Sequence, residues 1–371
     1  MRPVLFALIL FCNTVFADEL IGFTAYQNGD YSTAYPHLIE SARNGNEEAM
    51  YLIGRMYQYG YGVRKDYSKA ADWFRKSADK NYTLSELSLG YLYDFGKGVP
   101  KDYQQAFNYY MKAAKKGNYI AQRNVGLMYT MGEGIKKNQA KAVKWFERSA
   151  RQGYTKAQIN LAYMYMEGQG VKRNIEQAKH WYEEAAQKGD TTAQYSLALI
   201  YGGNYNFPVN RKKAFALFKQ AANKGHVNAQ AYLGYYFENG FGVEQNFPKA
   251  AYWFKMSGKK GHPLAQYHLG QMYLSGKGVN KDYEEAAYWF ARSAEQGNAV
   301  AQFRLGYMYL AGVGVTKNIA KAYAWFSIAA QNNVKEAQIQ LKSISGRITS
   351  SELEEAKRYI QEINSKLKPQ S

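Results

Sequence analysis

Gly60 and Gly62 open the stretch GYGVRKDYSKAADWF (60–74), two glycines just ahead of an expected helix. In that setting backbone amides can close around a phosphate, so nucleotide binding is the first chemistry to weigh. Histidines are the next candidates, at His37, His180, His226, His262 and His268. None of them forms the His-x-x-x-His or His-Glu-x-x-His spacing that puts two imidazoles on one helix face around a metal. His262 and His268 stand six apart and read as a chance pair. His226 and His262 occupy one recurrent turn position, where exposure to solvent is expected. There is no Gly-x-Ser-x-Gly elbow, and Cys12 is the only cysteine. The chain is therefore expected not to be an enzyme and to carry no cofactor or metal.

The glycine pair is explained by its recurrence. It returns at Gly96, Gly132 and Gly168, then at Gly240, Gly276 and Gly312, always in steps of 36 residues, and an altered copy at 204 carries Asn204 and Asn206 instead. A phosphate loop occurs once or twice in a chain, whereas a unit repeated at fixed period marks a solenoid. These glycines are structural.

Within one unit the apolar spacing is helical twice over. Ala49, Ile53, Gly54 and Tyr57 share one face of a first helix, and Ala70, Trp73, Phe74 and Ala78 share one face of a second. Gly54 recurs as glycine or alanine in every copy, and Ala70 never varies, so both helices are expected to pack closely at those points. Asp66 recurs as Asp or Asn and is expected to cap the second helix. Gly60 and Gly62 end the first helix at positive φ, a conformation that Asn204 and Asn206 could also adopt in the fifth unit. The recurrent Trp of Trp73, Trp145, Trp181, Trp253, Trp289 and Trp325 is expected to fill the groove between units.

Such hairpins cannot bury their faces alone and must stack. The expected fold is all-α, a right-handed α-solenoid of about eighteen helices. Its parts are an irregular capping hairpin over 18–44, eight repeats of 36 residues over 45–332, and a partial repeat with a capping helix over 333–371. That last helix has a capping box at Thr349 and Glu352, with Leu353, Ala356, Ile360 and Ile363 on one side.

The first seventeen residues read as a signal peptide: Arg2, an apolar run from Val4 to Phe11, and Val15-Phe16-Ala17 before the cut. The run is shorter than the roughly 20 residues a bilayer span needs, and Phe11 before Cys12 argues against lipid attachment. The expected destination is the periplasm, the cell surface or the medium. The net charge of +18 would allow an anionic lipid surface or an acidic protein as partner. Export argues against nucleic acid, and the basic pairs Arg64-Lys65, Lys136-Lys137 and Lys172-Arg173 recur at one position of the unit, the pattern of a solvated ridge.

The unit A-Q-x-x-L-G-x-M-Y-x-x-G-x-G-V-x-x-D/N-x-x-x-A-x-x-W-F, as in 301–326, resembles the Sel1-like repeat, a relative of the tetratricopeptide repeat. The resemblance runs from about Gly45 to Leu341. It implies a scaffold that holds proteins on a curved surface, and for exported bacterial members a host protein as partner and a part in cell entry or trafficking. The alternative is a periplasmic protein that binds cell wall or an envelope enzyme.

In tetratricopeptide-like stacks the first helices line the concave side, which makes their unpacked positions the candidate site. One such position reads Arg55, Tyr91, Leu127, Tyr163, Leu199, Tyr235, Gln271 and Tyr307. Tyr91, Tyr163, Tyr235 and Tyr307 either form an exposed binding row or pack on the next unit. Three residues earlier, Asn124 and Asn160 are candidates to hydrogen-bond an extended peptide or are simply solvated.

Overall fold

The computed structural model describes residues 19–367. The expected signal peptide at 1–17, Cys12 included, lies outside the described residues, as do the last four. Among the described residues there are twenty α-helices and no strand. The excess over eighteen comes from the ends, which contribute two helices each.

The chain divides into two compact units, Met1–Ala185 and Ala186–Ser371. In the first, α1 (19–27) and α2 (Tyr31–Arg43) make the front hairpin. Four repeat hairpins follow: α3 (Glu47–Tyr59) with α4 (Tyr67–Asp79), α5 (Thr83–Phe95) with α6 (Tyr103–Lys115), α7 (Tyr119–Met131) with α8 (Gln139–Arg151), and α9 (Thr155–Glu167) with α10 (Ile175–Gln187).

The second unit pairs α11 (Thr191–Tyr201) with α12 (Arg211–Asn223), α13 (Val227–Asn239) with α14 (Phe247–Lys259), α15 (Pro263–Ser275) with α16 (Tyr283–Ala294), and α17 (Ala299–Ala311) with α18 (Ile319–Gln331). It ends with α19 (Lys335–Ser345) and α20 (Ser350–Leu367), both packed on α18.

Each hairpin closes on one aromatic ring. Phe74, Tyr110, Phe146 and Tyr182 in the first unit, and Phe218, Phe254, Phe290 and Phe326 in the second, are all essentially inaccessible. Burying such a ring stabilises by about 1.5–3 kcal/mol. The glycine of the first helix makes room for it: a Cβ on Gly54 would fall 2.6 Å from the Phe74 ring. Ala70 and its seven counterparts are fully buried as expected.

The tryptophans take a lesser part than expected. Trp73, Trp145, Trp181 and Trp253 are only half-buried, while Trp289 and Trp325 are buried. Adjacent helical residues point about 100° apart, so one of a Trp-Phe pair can face the core squarely and the other must sit at its rim. There the indoles carry cations, Lys76 at 4.4 Å over Trp73 and Arg148 at 4.5 Å over Trp145.

Between the helices, Gly60 (φ 81°) stops α3, and its N–H donates to the Met56 carbonyl. Gly62 (φ 65°) has a second duty: a Cβ there would lie 2.6 Å from Cβ of Tyr31, at the start of the preceding hairpin's second helix. Asp66 and all seven counterparts accept a backbone N–H from the first turn of the helix they begin. Ser77 adds a tie that was not anticipated, its hydroxyl donating to the Glu47 carbonyl at 2.7 Å, and Ser149, Ser257 and Ser293 repeat it.

In the fifth repeat α11 stops two residues short of the usual thirteen. Gly203 (φ 94°) and Asn206 (φ 54°) take the left-handed turns, and Asn204 does not. Glycine has no Cβ to strain, so the neighbouring Gly203 turns in its place. The loop still ends in register, because the Asn210 N–H donates to the Tyr201 carbonyl at 2.8 Å, as Asp66 does to Tyr57. At the far end the Thr349 N–H donates to Glu352 at 2.8 Å and the Glu352 N–H to the Thr349 hydroxyl at 3.3 Å, closing the expected capping box.

Candidate functional site

The unpacked positions of the first helices differ between the two units. In the first, Tyr163 on α9 is 46 % exposed, whereas Tyr91 on α5 is half-buried. The Tyr91 hydroxyl accepts from Lys97 at 2.7 Å, and its ring lies 4.8 Å from that of Phe95. That hydrogen bond holds the Lys97 ammonium above the usual lysine range.

Asn124 and Asn160 come together through a residue the sequence reading did not single out. Arg123 donates through Nε to Oδ1 of Asn160 at 3.2 Å and through a terminal nitrogen to Oδ1 of Asn124 at 3.5 Å. The guanidinium is itself half-buried, and burial lowers its pKa below the ordinary arginine value. Both amide oxygens are thus engaged, and the Asn124 amide also hydrogen-bonds the Tyr110 hydroxyl, so the amide N–H groups of Asn160 are the ones placed to meet an acceptor. The available signal was an arginine at a position that holds Tyr51, Leu87 and Ile159 in neighbouring repeats.

In the second unit, Tyr307 on α17 is 52 % exposed and Tyr235 on α13 is 39 % exposed. Tyr235 lies on the wall of a pocket of about 590 Å³ that α11, α13, α15 and the irregular fifth-repeat loop line together. Its ring meets Phe241 at 5.7 Å and His268 at 6.0 Å, both edge-on. Three of the four tyrosines are therefore open to a partner, and Tyr91 packs within its own repeat.

The two histidines expected at exposed turns are half-buried caps. Nδ1 of His226 accepts the Ala229 N–H, and Nδ1 of His262 accepts the Ala265 N–H, each at 3.2 Å. A cap of this kind must stay neutral, and burial holds both pKa values below the usual histidine range. His268 turns its Nδ1 toward Glu238, 3.0 Å away. Among the described residues no group of three His, Cys, Asp or Glu could hold a metal ion.

The basic pairs Arg64-Lys65, Lys136-Lys137 and Lys172-Arg173 are exposed. Other cations lie on aromatic faces at recurring positions: Lys69 over Tyr57, Lys141 over Tyr129 and Lys321 over Tyr309, all within 5.4–5.5 Å. Among the described residues no helix is long and apolar enough to cross a membrane.

The Sel1 repeat model matches eight consecutive segments, 47–82, 84–118, 120–154, 155–190, 191–226, 227–262, 263–298 and 299–334. Two solved structures are similar over most of the chain. A Sel1 repeat protein from Oxalobacter formigenes is 32 % identical, with a TM-score of 0.67 over 83 % of this chain and 89 % of that one. A protective antigen present in uropathogenic Escherichia coli strains, displaying an SLR fold, is 29 % identical, with a TM-score of 0.61 over 96 % of this chain and 85 % of that one. The Arabidopsis thaliana protein HRD3A, an ERAD-associated E3 ubiquitin-protein ligase component, is 38 % identical over 64 residues, 17 % of this chain and 9 % of that protein.

Proposed function

The chain belongs to the Sel1 repeat family, and from that premise we propose that it is an exported, non-enzymatic scaffold whose first-helix faces hold a host protein during cell entry or trafficking. The observation that carries the reading is the exposure of Tyr163, Tyr235 and Tyr307. A solenoid of this type is stabilised by its buried rings, glycines and caps, and these tyrosines belong to none of those sets. Tyrosine combines a large apolar face with few rotatable bonds, so it loses little entropy when a partner covers it.

Two further points support the proposal. The leader pattern at 1–17 supports export, and the similar uropathogen protein, described as a protective antigen, supports a place where a host meets it. The chemistry of the faces favours a protein over lipid, because their candidate residues are tyrosine and asparagine rather than a basic cluster.

The test is capture from host-cell lysate and, in parallel, from bacterial envelope extract. The bait is the chain from Asp18 and a variant with Tyr163, Tyr235 and Tyr307 changed to Ala. A host protein that the parent captures and the variant loses supports the proposal. Capture of envelope components alone, undiminished in the variant, moves the function to the periplasm and removes the site assignment. Mass analysis of the exported protein tests the leader: the chain should begin at Asp18.

A further inference from the structure

The pocket in the second unit arises from two departures from the repeat. The position of Ala231 holds Tyr51, Leu87, Arg123, Ile159, Tyr195, Tyr267 and Phe303 in the other seven copies. Where that residue is aromatic its ring covers the central ring of its own hairpin, as in Tyr195 with Phe218 at 6.0 Å and Tyr267 with Phe290 at 5.9 Å. In the sixth repeat the alanine removes that ring, and Phe254 keeps only the stack from the following repeat, His268 at 4.8 Å and 9° from parallel, just as Tyr232 stacks on Phe218. α11 also stops early, and Gly202 and Asn204 just beyond its end line the pocket. Gly202 stands where the Tyr236 hydroxyl needs space, 2.9 Å from where a Cβ would be.

The walls are set before any ligand arrives, since Tyr235 and Tyr236 each meet Phe241 edge-on at 5.7 Å. The polar lining includes a cation and N–H donors. Arg211 stands at the rim with its guanidinium 4.0 Å over the Phe241 ring, the one fully charged side chain lining the pocket. His262, with Nδ1 committed to a backbone N–H, carries its proton on Nε2 and can donate. Asn204 adds an amide group, Asn228 is already bonded to the Tyr195 hydroxyl, and among the described residues no carboxylate lines the pocket. Glu238, behind His268, is held at the histidine's Nδ1. An aromatic cleft with a cation and N–H donors at its mouth complements a flat apolar ring beside a negative charge.

We infer that this pocket is a recognition site for a peptide segment of the partner that carries an aromatic side chain next to an aspartate or glutamate, the ring lying over Ala231 against Tyr235 and His268 and the carboxylate at Arg211. The inference rests on the proposed protein-binding function and specifies its second-unit contact. A free aromatic carboxylate shares this chemistry, so the test includes one.

A random peptide library is panned against the chain, and selected peptides are measured by fluorescence anisotropy. Enrichment of an aromatic residue beside an acidic one is expected. Ala231→Tyr restores a residue that three other repeats carry, so it should fold with an unchanged melting temperature and fill the cleft. It should weaken binding by about tenfold or more. Arg211→Gln, at an exposed position, should weaken binding by a similar factor and abolish the preference for the acidic residue. N-acetyl-phenylalanine should compete only weakly; competition as strong as the peptide's would make the ligand a small acid and overturn the peptide assignment. Enrichment without an aromatic-acidic pair, or binding that survives Ala231→Tyr, overturns the pocket. If the selected peptides are instead lost on changing Tyr163 and Tyr307 to Ala, the scaffold reading stands without it.

Discussion

The Lys116 ammonium lies 2.7 Å from Oε1 of Glu86, a carboxylate only 1 % exposed. The same two positions one repeat later hold Gln122 and Gln152, joined amide to amide at 2.8 Å, and Gln266 with Gln296 repeats that neutral pair. An ion pair therefore stands in for an uncharged bridge. Lys116→Gln alone should cost about 2–3 kcal/mol, because it strands a buried carboxylate, with the loss moderated by the partial exposure of the lysine site. Glu86→Gln with Lys116→Gln recreates the neutral bridge and should recover most of that loss. Urea denaturation of the two singles and the double closes the cycle, and equal stability of single and double would refute the pairing.

Gly126 faces the ring of Phe146, and a Cβ on it would stand 2.5 Å from that ring. Gly126→Ala gains about 1 kcal/mol of helix propensity, yet must displace a fully buried aromatic at a cost of about 1–3 kcal/mol. The expected net is a loss of about 1 kcal/mol, and Gly126→Val should lose considerably more. Trimming the ring with Phe146→Leu should shrink the penalty of the alanine. If alanine raises the melting temperature in the parent, the packing account is wrong.

His226 and His262 accept backbone N–H groups through Nδ1 and titrate below the usual histidine value of 6.5, chiefly because burial disfavours the charged ring. The unfolded chain therefore binds protons more readily than the folded one just below pH 6.5. Their contribution is complete above that pH and is lost as pH falls toward the folded values. The melting temperature should drop on going from pH 7.5 to pH 5. His226→Asn with His262→Asn keeps a capping oxygen without a proton to gain, so it should flatten that slope. An unchanged slope in the double variant would assign the acid sensitivity elsewhere.

What the sequence disclosed follows from which rules act through one residue. Asp66, Gly60 and Ala70 each satisfy a local requirement, a free N–H, a left-handed turn or a close helix approach, and recurrence at fixed spacing made those requirements visible. Trp73 and Phe74 could not be ranked that way, because both are large aromatics on one helix and only the hairpin's rotation decides which is central. Arg123 was missed since its role depends on Asn160, 37 residues on. His262 looked like a turn residue because the next helix could not be seen to begin on it. The pocket was the hardest to read, being made by what Ala231 lacks. Only comparison of that one position across all eight copies reveals the gap.

The tyrosines differ in what they owe to the fold, and that difference makes the binding test clean. Tyr163 and Tyr307 are about half exposed, at 46 % and 52 %. Changing either to Ala should alter stability by no more than about 0.5 kcal/mol, the range for surface positions. Tyr91 is tied to Lys97 and packed on Phe95, so Tyr91→Ala should cost about 1 kcal/mol or more from the lost ring contact and hydrogen bond. Thermal melts of the three single variants separate the cases. A large loss at Tyr163 or Tyr307 would show that the ring serves the fold, and weaker partner capture by that variant could then no longer be credited to a missing contact.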